Sequence, residues 1–306
     1  RSGWRDPFRR VARDEKIVPT HGSGESGVTA QSGGAAGGTW RESERALEAG
    51  IDYDRANAAR IYDYLLGGAC NFAVDREQAS KILAQNPDMA YVCRANRDFL
   101  RRAVEWCLAH GITQFLDLGS GVPTAGNVHE IALAHRPEAR VAYVDFEPVA
   151  VAHAHEVIGG LENVSVTRAD MRDAQGVLAA PGVRDLLDPD RPIALLQLGT
   201  LHHYDESKLT CVEIMQQYID ALPSGSYVAL SHFLDPEDEN SVVARRMEDV
   251  FLHSPLGTGV YRTREQILAM MPGLDLVDPG LELCVKWWPD GPQLAPLLPA
   301  QHCIAG

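Results

Sequence analysis

The stretch Gln114-Phe-Leu-Asp-Leu-Gly-Ser-Gly-Val-Pro-Thr124 constrains the fold of this chain more than any other. Residues 115–118 are a short apolar run, broken by Gly119 and Gly121 and followed by a helix-forming segment over 124–134. A buried strand, a tight glycine turn and a helix open a nucleotide-type α/β unit. The run is far too short to span a membrane, as is every other apolar run in the chain.

The alternation then continues. Residues 141–144, 163–167, 193–198 and 227–233 read as strands, and 149–158, 206–222 and 238–252 as helices. Pro148 suits the first turn of its helix, and Thr263 with Gln266 makes a capping-box start for another. Two runs, 274–277 and 281–287, flank Asp278-Pro279-Gly280 and predict a closing hairpin. The expected fold is α/β: a Rossmann-like, doubly wound, mostly parallel sheet of seven strands, with that hairpin as a C-terminal antiparallel edge. This domain is expected over 111–290. Ahead of it, 46–110 reads as a helical cap, with helices over 56–66, 75–85 and 94–109. The first stops at Gly67-Gly68, a glycine stop. The loop from Gly67 to Phe72 is then the natural lid. Residues 1–45, rich in Gly, Ser and Ala, are expected to form a flexible tail, and the Pro-rich 291–306 a second one.

Four strand ends carry a polar group each. Asp117 stands two positions before the first glycine, so a pyrophosphate at Gly119 and Gly121 would be repelled at low local dielectric. S-adenosylmethionine carries an ammonium and a sulfonium, which a carboxylate attracts, and is the expected cofactor. Asp145, 28 residues after Asp117, can accept both ribose hydroxyls, with Phe146 beside it at the cofactor. Asp170 can bond the adenine amine while Met171 packs on the ring. Gln197, at the fourth strand end, flanks the methionine part. Singly these signals are weak, since an Asp after a strand is often a helix cap; in order, they are strong.

The sequence also resembles a known group. Ala59-Arg-Ile-Tyr-Asp-Tyr-Leu-Leu-Gly-Gly68, Asn71-Phe-Ala-Val-Asp75 and Arg94-Ala-Asn-Arg97 carry the likeness, with the glycine stretch, Gly126-Asn-Val-His-Glu130, Val144-Asp145 and Leu201-His-His203. Gly225-Ser-Tyr, Ser231-His232 and Arg262-Thr-Arg-Glu extend it, over about residues 50–290. The chain looks like a class I S-adenosylmethionine-dependent methyltransferase. It is close to a family formerly designated a domain of unknown function and now called S-adenosyl methyltransferases. The resemblance implies the fold and the cofactor, and says little of the acceptor. It departs at Ala69-Cys70, where a more polar pair is expected. If the cap closes over the cofactor, Tyr64, Gly68 and Asn71 are expected at the methionine end.

For catalysis, Leu201-His202-His203-Tyr204-Asp205 follows the fourth strand, where the methyl group should project. It resembles the Leu-His-Asp-Trp run of small-molecule O-methyltransferases, with His202 at the base's position and His203 next to it. A histidine suits a general base, although one here is also compatible with packing alone. His232 reads as a packing residue. Three adjacent ligands (His202, His203, Asp205) make poor metal geometry, so no metal is expected. A net charge of −14 argues against nucleic acid as the main partner; Arg94, Arg97, Arg101 and Arg102 read as a solvated or salt-bridged basic helix face, with an RNA patch as the minor option. Six cysteines without a CxxC pair read as reduced thiols, and Arg9-Arg10 is followed by no apolar segment, so a cytoplasmic protein is expected. The leading expectation is O- or N-methylation of a small molecule, with secondary metabolism as the expected setting. The alternative is a cofactor-binding sensor or scaffold without transfer activity. An NAD-dependent oxidoreductase is opposed by Asp117 and by Gly126 lying too far on for the third glycine.

Overall fold

The first strand, β1 (Gln114–Leu118), is buried along its whole length, and its period-two alternation shows what covers each face. Leu116 and Leu118 enter one core with Ile214, Met215 and Tyr218, whereas Phe115 enters another with Val104, Val128 and Ala132. The structure is a computed structural model that describes residues 51–123 and 126–306. The tail expected over 1–45, and Thr124 and Ala125 of the expected helix start, lie outside those residues.

Four further strands run parallel to β1: β2 (Arg140–Asp145), β3 (Val164–Arg168), β4 (Ala194–Leu198) and β5 (Tyr227–Phe233). With the short β6 (Ile304–Ala305), antiparallel to β5, the sheet order is β3-β2-β1-β4-β5-β6. The order reverses between β1 and β4, which opens a crevice at their carboxyl ends, as expected of a doubly wound sheet.

Ten helices are described: α1 (Ala58–Leu65), α2 (Ala73–Gln85), α3 (Met89–Ala109), α4 (Val128–His135), α5 (Pro148–Ile158), α6 (Ala174–Ala179), α7 (Pro181–Arg184), α8 (Cys211–Ala221), α9 (Ser241–Leu252) and α10 (Arg264–Leu268). Their starts follow local chemistry. Asn57 Oδ1 accepts from the Ala59 amide at 2.8 Å and begins α1. Thr263 and Gln266 form the expected capping box at α10, with the Gln266 carbonyl accepting from Thr263 N–H at 2.9 Å. The second helix starts at Ala73 and not at Asp75, because the Asp75 carboxylate reaches back to accept from Phe72 N–H at 2.8 Å.

The cap has its own core, in which Ile61, Leu65, Ile82, Val92 and Phe99 meet Met247, Phe251, Trp287 and Ile304. α3 belongs to both layers: Val92 and Phe99 enter the cap core, while Val104 and Leu108 pack on the sheet.

Three expectations fail at the C-terminal side. The described sheet has six strands, not seven, and the hairpin over 274–287 does not form. Arg102 donates to the carbonyls of Cys284 and Trp287, and Leu283 O accepts from the amides of Lys286 and Trp287. Those carbonyls are thereby satisfied without a partner strand. The chain's last residues, expected to be a tail, supply the antiparallel edge instead, with Ile304 and Ala305 buried between β5 and Leu283. On the basic helix, Arg101 pairs with Glu105 and Asp290, as a salt-bridged face would have it, whereas Arg102 is buried on those carbonyls.

Candidate functional site

The strand ends converge. Asp117, Gly119 and Gly121 at the end of β1, Asp145 and Phe146 at that of β2, Asp170 and Met171 after β3, and Thr200, His202 and His203 after β4 line one cavity of about 740 Å³. Gly119 is what lets β1 and β4 close on each other. Its φ is +68°, and a Cβ there would lie 2.4 Å from Thr200 Cγ2.

The backbone amides of Gly119, Ser120 and Gly121 are all engaged within the fold. Gly119 N–H and Ser120 N–H both bond Val144 O, at 2.7 and 3.2 Å, and Gly121 N–H bonds Asp145 Oδ2 at 2.7 Å. A phosphate-binding turn aims such amides at the ligand. Here they face inward, and the wall offered to a ligand is anionic. Asp117 is 5% exposed, and burial pushes its pKa up to about 7, with Arg97 opposing the rise. Burial likewise raises Asp145, partly offset by the amides of Glu147 and Gly121 that its oxygens accept. Each carboxylate oxygen of Asp145 makes one such bond, which leaves lone pairs for a diol.

Asp170 lines the cavity as expected and is paired with Arg172, which lowers its pKa. Gln197 plays another part than the expected one. Gln197 does not line the cavity. Its amide donates to Thr200 Oγ1 at 2.7 Å and to Met171 Sδ at 3.1 Å, so it positions two residues that do.

The lid residues are also placed differently. Tyr64, Gly68 and Asn71 are absent from the cavity wall. The Asn71 amide donates to Asp63 Oδ2 at 2.8 Å and to Gly68 O at 3.0 Å, which consumes it in holding the loop. Gly68 is a packing glycine, since a Cβ there would lie 1.9 Å from Asp63 Oδ1. Cys70 Sγ meets His153 Nε2 on α5 at 3.0 Å, so the loop leans on that helix. From α1 it is Tyr62 that faces the cavity. Residues two apart on a helix point in nearly opposite directions, so Tyr64 falls outside the cavity lining.

Asn96, Arg97 and Tyr62 are cavity residues the sequence reading missed. A signal existed. Met89, Cys93, Asn96, Arg97 and Leu100 all line the cavity and recur at helical spacing along α3. A polar pair inside that apolar stripe marks a face turned to something other than core. Asn96 accepts from Ser231 Oγ at 2.5 Å and donates to the Tyr62 hydroxyl at 3.2 Å, which itself donates to Cys93 O at 2.9 Å.

Both expected histidines reach the cavity. His202 is 3% exposed and stacks on Phe233 with 3.6 Å between ring centroids. Its Nδ1 accepts from Phe233 N–H at 3.4 Å, which puts its proton on Nε2. Burial holds it well below the usual histidine range, and His203, His232 and Arg262 add to the shift. His203 is lowered by burial to about 4. His232 is structural, bonding Phe233 O through Nδ1 and Arg262 through Nε2, each at 2.7 Å. Among the described residues no cluster of three or more His, Cys, Asp or Glu could hold a metal ion, and no helix is long and apolar enough to cross a membrane.

Comparison with known proteins identifies the family. The S-adenosyl methyltransferase family model matches residues 44–306. A crystal structure of a methyltransferase candidate from Thermobifida fusca superposes with a TM-score of 0.78 at 34% identity, covering 84% of this chain and 95% of that one. A DUF574 family protein from Streptomyces avermitilis gives a TM-score of 0.77 at 33% identity, covering 83% of this chain and 97% of that one. No curated protein matches the chain. A crevice that offers carboxylates where a nucleotide fold would offer amides uses S-adenosylmethionine, and the chain, a methyltransferase dependent on that cofactor, belongs to the S-adenosyl methyltransferase family.

Proposed function

We propose that the chain methylates a small molecule held in the same cavity as its cofactor, at oxygen or nitrogen. One observation carries this reading: the cavity runs without a break from the acidic strand ends to walls made by Phe233, Phe251, Leu256 and Ile304. Its 740 Å³ is in the range of small-molecule sites and accommodates a cofactor with a modest acceptor beside it.

Bound S-adenosylmethionine supplies an electrophilic methyl group on a sulfonium. The residues present suit its parts. Asp145 accepts the ribose hydroxyls. Phe146, 64% exposed at the rim, and Met171 offer apolar faces to the adenine. Asp117 and Arg97 present one anion and one cation to the amino-acid end. Gln197 acts through Met171 and Thr200, and Tyr64, Gly68 and Asn71 act through the fold of the lid loop. The second half of the cavity positions the acceptor and excludes water, the main contributions such a transfer needs. The six unpaired thiols fit a reducing, cytoplasmic setting.

Calorimetry with S-adenosylmethionine and a methyl-labelled transfer assay on a metabolite extract test this. Asp145→Ala should bind the cofactor at least about tenfold more weakly, because two charge-assisted hydrogen bonds go at once. Label appearing only on macromolecules, or unchanged affinity in the variant, overturns the reading.

A further inference from the structure

The acceptor half of the cavity has a composition of its own. Its walls come from α1, the first turns of α3, the end of β5, α9 with the loop after it, and β6, and among the described residues none of these contributes a charged side chain there. The charged residues of the lining lie at or after the strand ends, just before α1, or at Arg97. Tyr62, Phe233 and Phe251 supply aromatic surface, with Phe233 nearly parallel to Phe251 at 5.6 Å between ring centroids. An ionic acceptor entering this half would lose its hydration with no counter-charge to replace it. A flat, neutral ring would replace water with aromatic contact.

Among the described residues this half also lacks a group suited to taking a proton. The Tyr62 hydroxyl donates to Cys93 O at 2.9 Å, and burial pushes the Cys93 thiol up to about 12, so neither side chain is ionised. His202 Nδ1 already accepts from Phe233 N–H, and its ring lies flat on the Phe233 ring. His203 Nδ1 is closed off by burial. Burial also holds both imidazoles below the usual histidine range, with His203 at about 4, which makes a poor base at neutral pH. The chemistry of the acceptor has to fit both facts. A phenol or an alcohol must shed a proton during transfer, and an alkylamine, titrating at about 10, arrives as a cation. A pyridine-type ring nitrogen, like that of imidazole with its value of about 6.5, arrives largely neutral and with its lone pair free.

We propose that the methyl acceptor is a neutral heteroaromatic molecule, methylated on a pyridine-type ring nitrogen, an assignment that rests on the small-molecule reading above. In the transfer the nitrogen lone pair forms a bond to the methyl carbon as that carbon's bond to sulfur breaks, with the electron pair staying on sulfur. The positive charge passes from sulfur to the ring, and no proton moves. The products are S-adenosylhomocysteine and an N-methylated ring cation. While the charge shifts, the faces of the aromatic wall stabilise it in part. Once formed, the cation sits in a half with no counter-charge, which favours its release. The work left to the walls is to aim the ring nitrogen at the methyl group and to exclude water.

The test uses the full chain and three probes of similar shape: isoquinoline, naphthol and naphthoate. With S-adenosylhomocysteine bound, calorimetry should show naphthoate at least about tenfold weaker than isoquinoline, because it alone carries a charge. With methyl-labelled S-adenosylmethionine, isoquinoline should accept label at least about a hundredfold faster than naphthol, which has to lose a proton unaided. At saturating cofactor the isoquinoline rate should stay flat from about pH 7.5 to about pH 9, whereas a base-assisted transfer climbs with pH. Leu256→Glu puts an anion into the neutral half and should bind naphthylmethylammonium at least about tenfold tighter than the parent does, with S-adenosylhomocysteine affinity reporting that the variant is folded. Should the probes fit poorly, a metabolite extract decides: its labelled product should be held by a cation exchanger even in strong alkali, because an N-methylated pyridine-type ring has no proton to lose. Tightest binding of naphthoate, faster labelling of naphthol, a rate that climbs with pH, or extract label carried on oxygen overturns the ring-nitrogen assignment alone. Should no probe accept label and the extract be labelled only on macromolecules, the small-molecule reading falls with it.

Discussion

Asp117 is held where folding and cofactor binding want opposite things. Its pKa in the folded chain, about 7, lies above that of an unfolded aspartate. The sign follows directly. Below the unfolded value the group is neutral in both states and costs nothing. As pH rises toward 7 the unfolded chain ionises first, and the fold loses stability; above 7 the full penalty stands. Asp117→Asn removes the penalty, so its ligand-free form should melt higher than the parent at about pH 8, by a few kcal/mol at most. The same variant should bind S-adenosylmethionine more weakly, because the carboxylate that attracts its cationic groups has gone. In the parent, affinity should rise with pH up to about 7 and then level, whereas in the variant it should be flat. Melting curves and calorimetry over that range decide the matter. A variant less stable than the parent at about pH 8 would show that burial is not what sets this group.

Between elements, the cap is fastened to the sheet by one buried cation. Arg60 is 1% exposed; its Nε lies 2.8 Å from Asp75 and its Nη1 2.6 Å from Glu147. It also donates to the carbonyls of Asp52 and Arg55. Asn57, the cap of α1, donates to the other Glu147 oxygen at 2.8 Å. Glu147 follows directly on the turn of Asp145, and its amide donates to Asp145 Oδ1. The cap is therefore registered against the cofactor's ribose position by side chains drawn from α1, α2 and the β2–α5 turn. Arg60→Met keeps the volume but strands two carboxylates, and breaking a buried pair in this way costs about 3–5 kcal/mol. We expect a melting temperature lower by roughly 10 °C, partly recovered by S-adenosylhomocysteine, and weaker cofactor binding. An unchanged melt would mean the network is wet and contributes little. The motif Ala59-Arg-Ile-Tyr-Asp-Tyr was legible as a signature. Its purpose was not, because Arg60 meets Glu147, 87 positions further along the chain, only once the chain has folded back.

For the molecule as a whole, the C-terminus is structural. Ile304 is 2% and Ala305 0% exposed, Leu234 N–H bonds Cys303 O at 2.9 Å, and Ile304 lines the cavity. Removing residues 299–306 should lower the melting temperature by about 10 °C or more and weaken acceptor binding, since it exposes a strand edge and opens a wall. A truncated chain as stable as the parent would return that segment to the status of a tail. By itself, the sequence determined what is local: the glycine turn after β1, the alternation of parallel strands with helices, the acidic strand ends, and the capping boxes. Each depends on residues within a few positions of one another, where backbone geometry and hydrogen bonding leave few options. Only the tertiary structure decided that Tyr62 and not Tyr64 faces the cavity, that Gln197 works through Met171 and Thr200, and that Arg102 satisfies the carbonyls a hairpin would have used. In each of these cases a polar group's partner is fixed by elements distant in sequence, and a buried polar atom takes whichever partner the packing brings within reach.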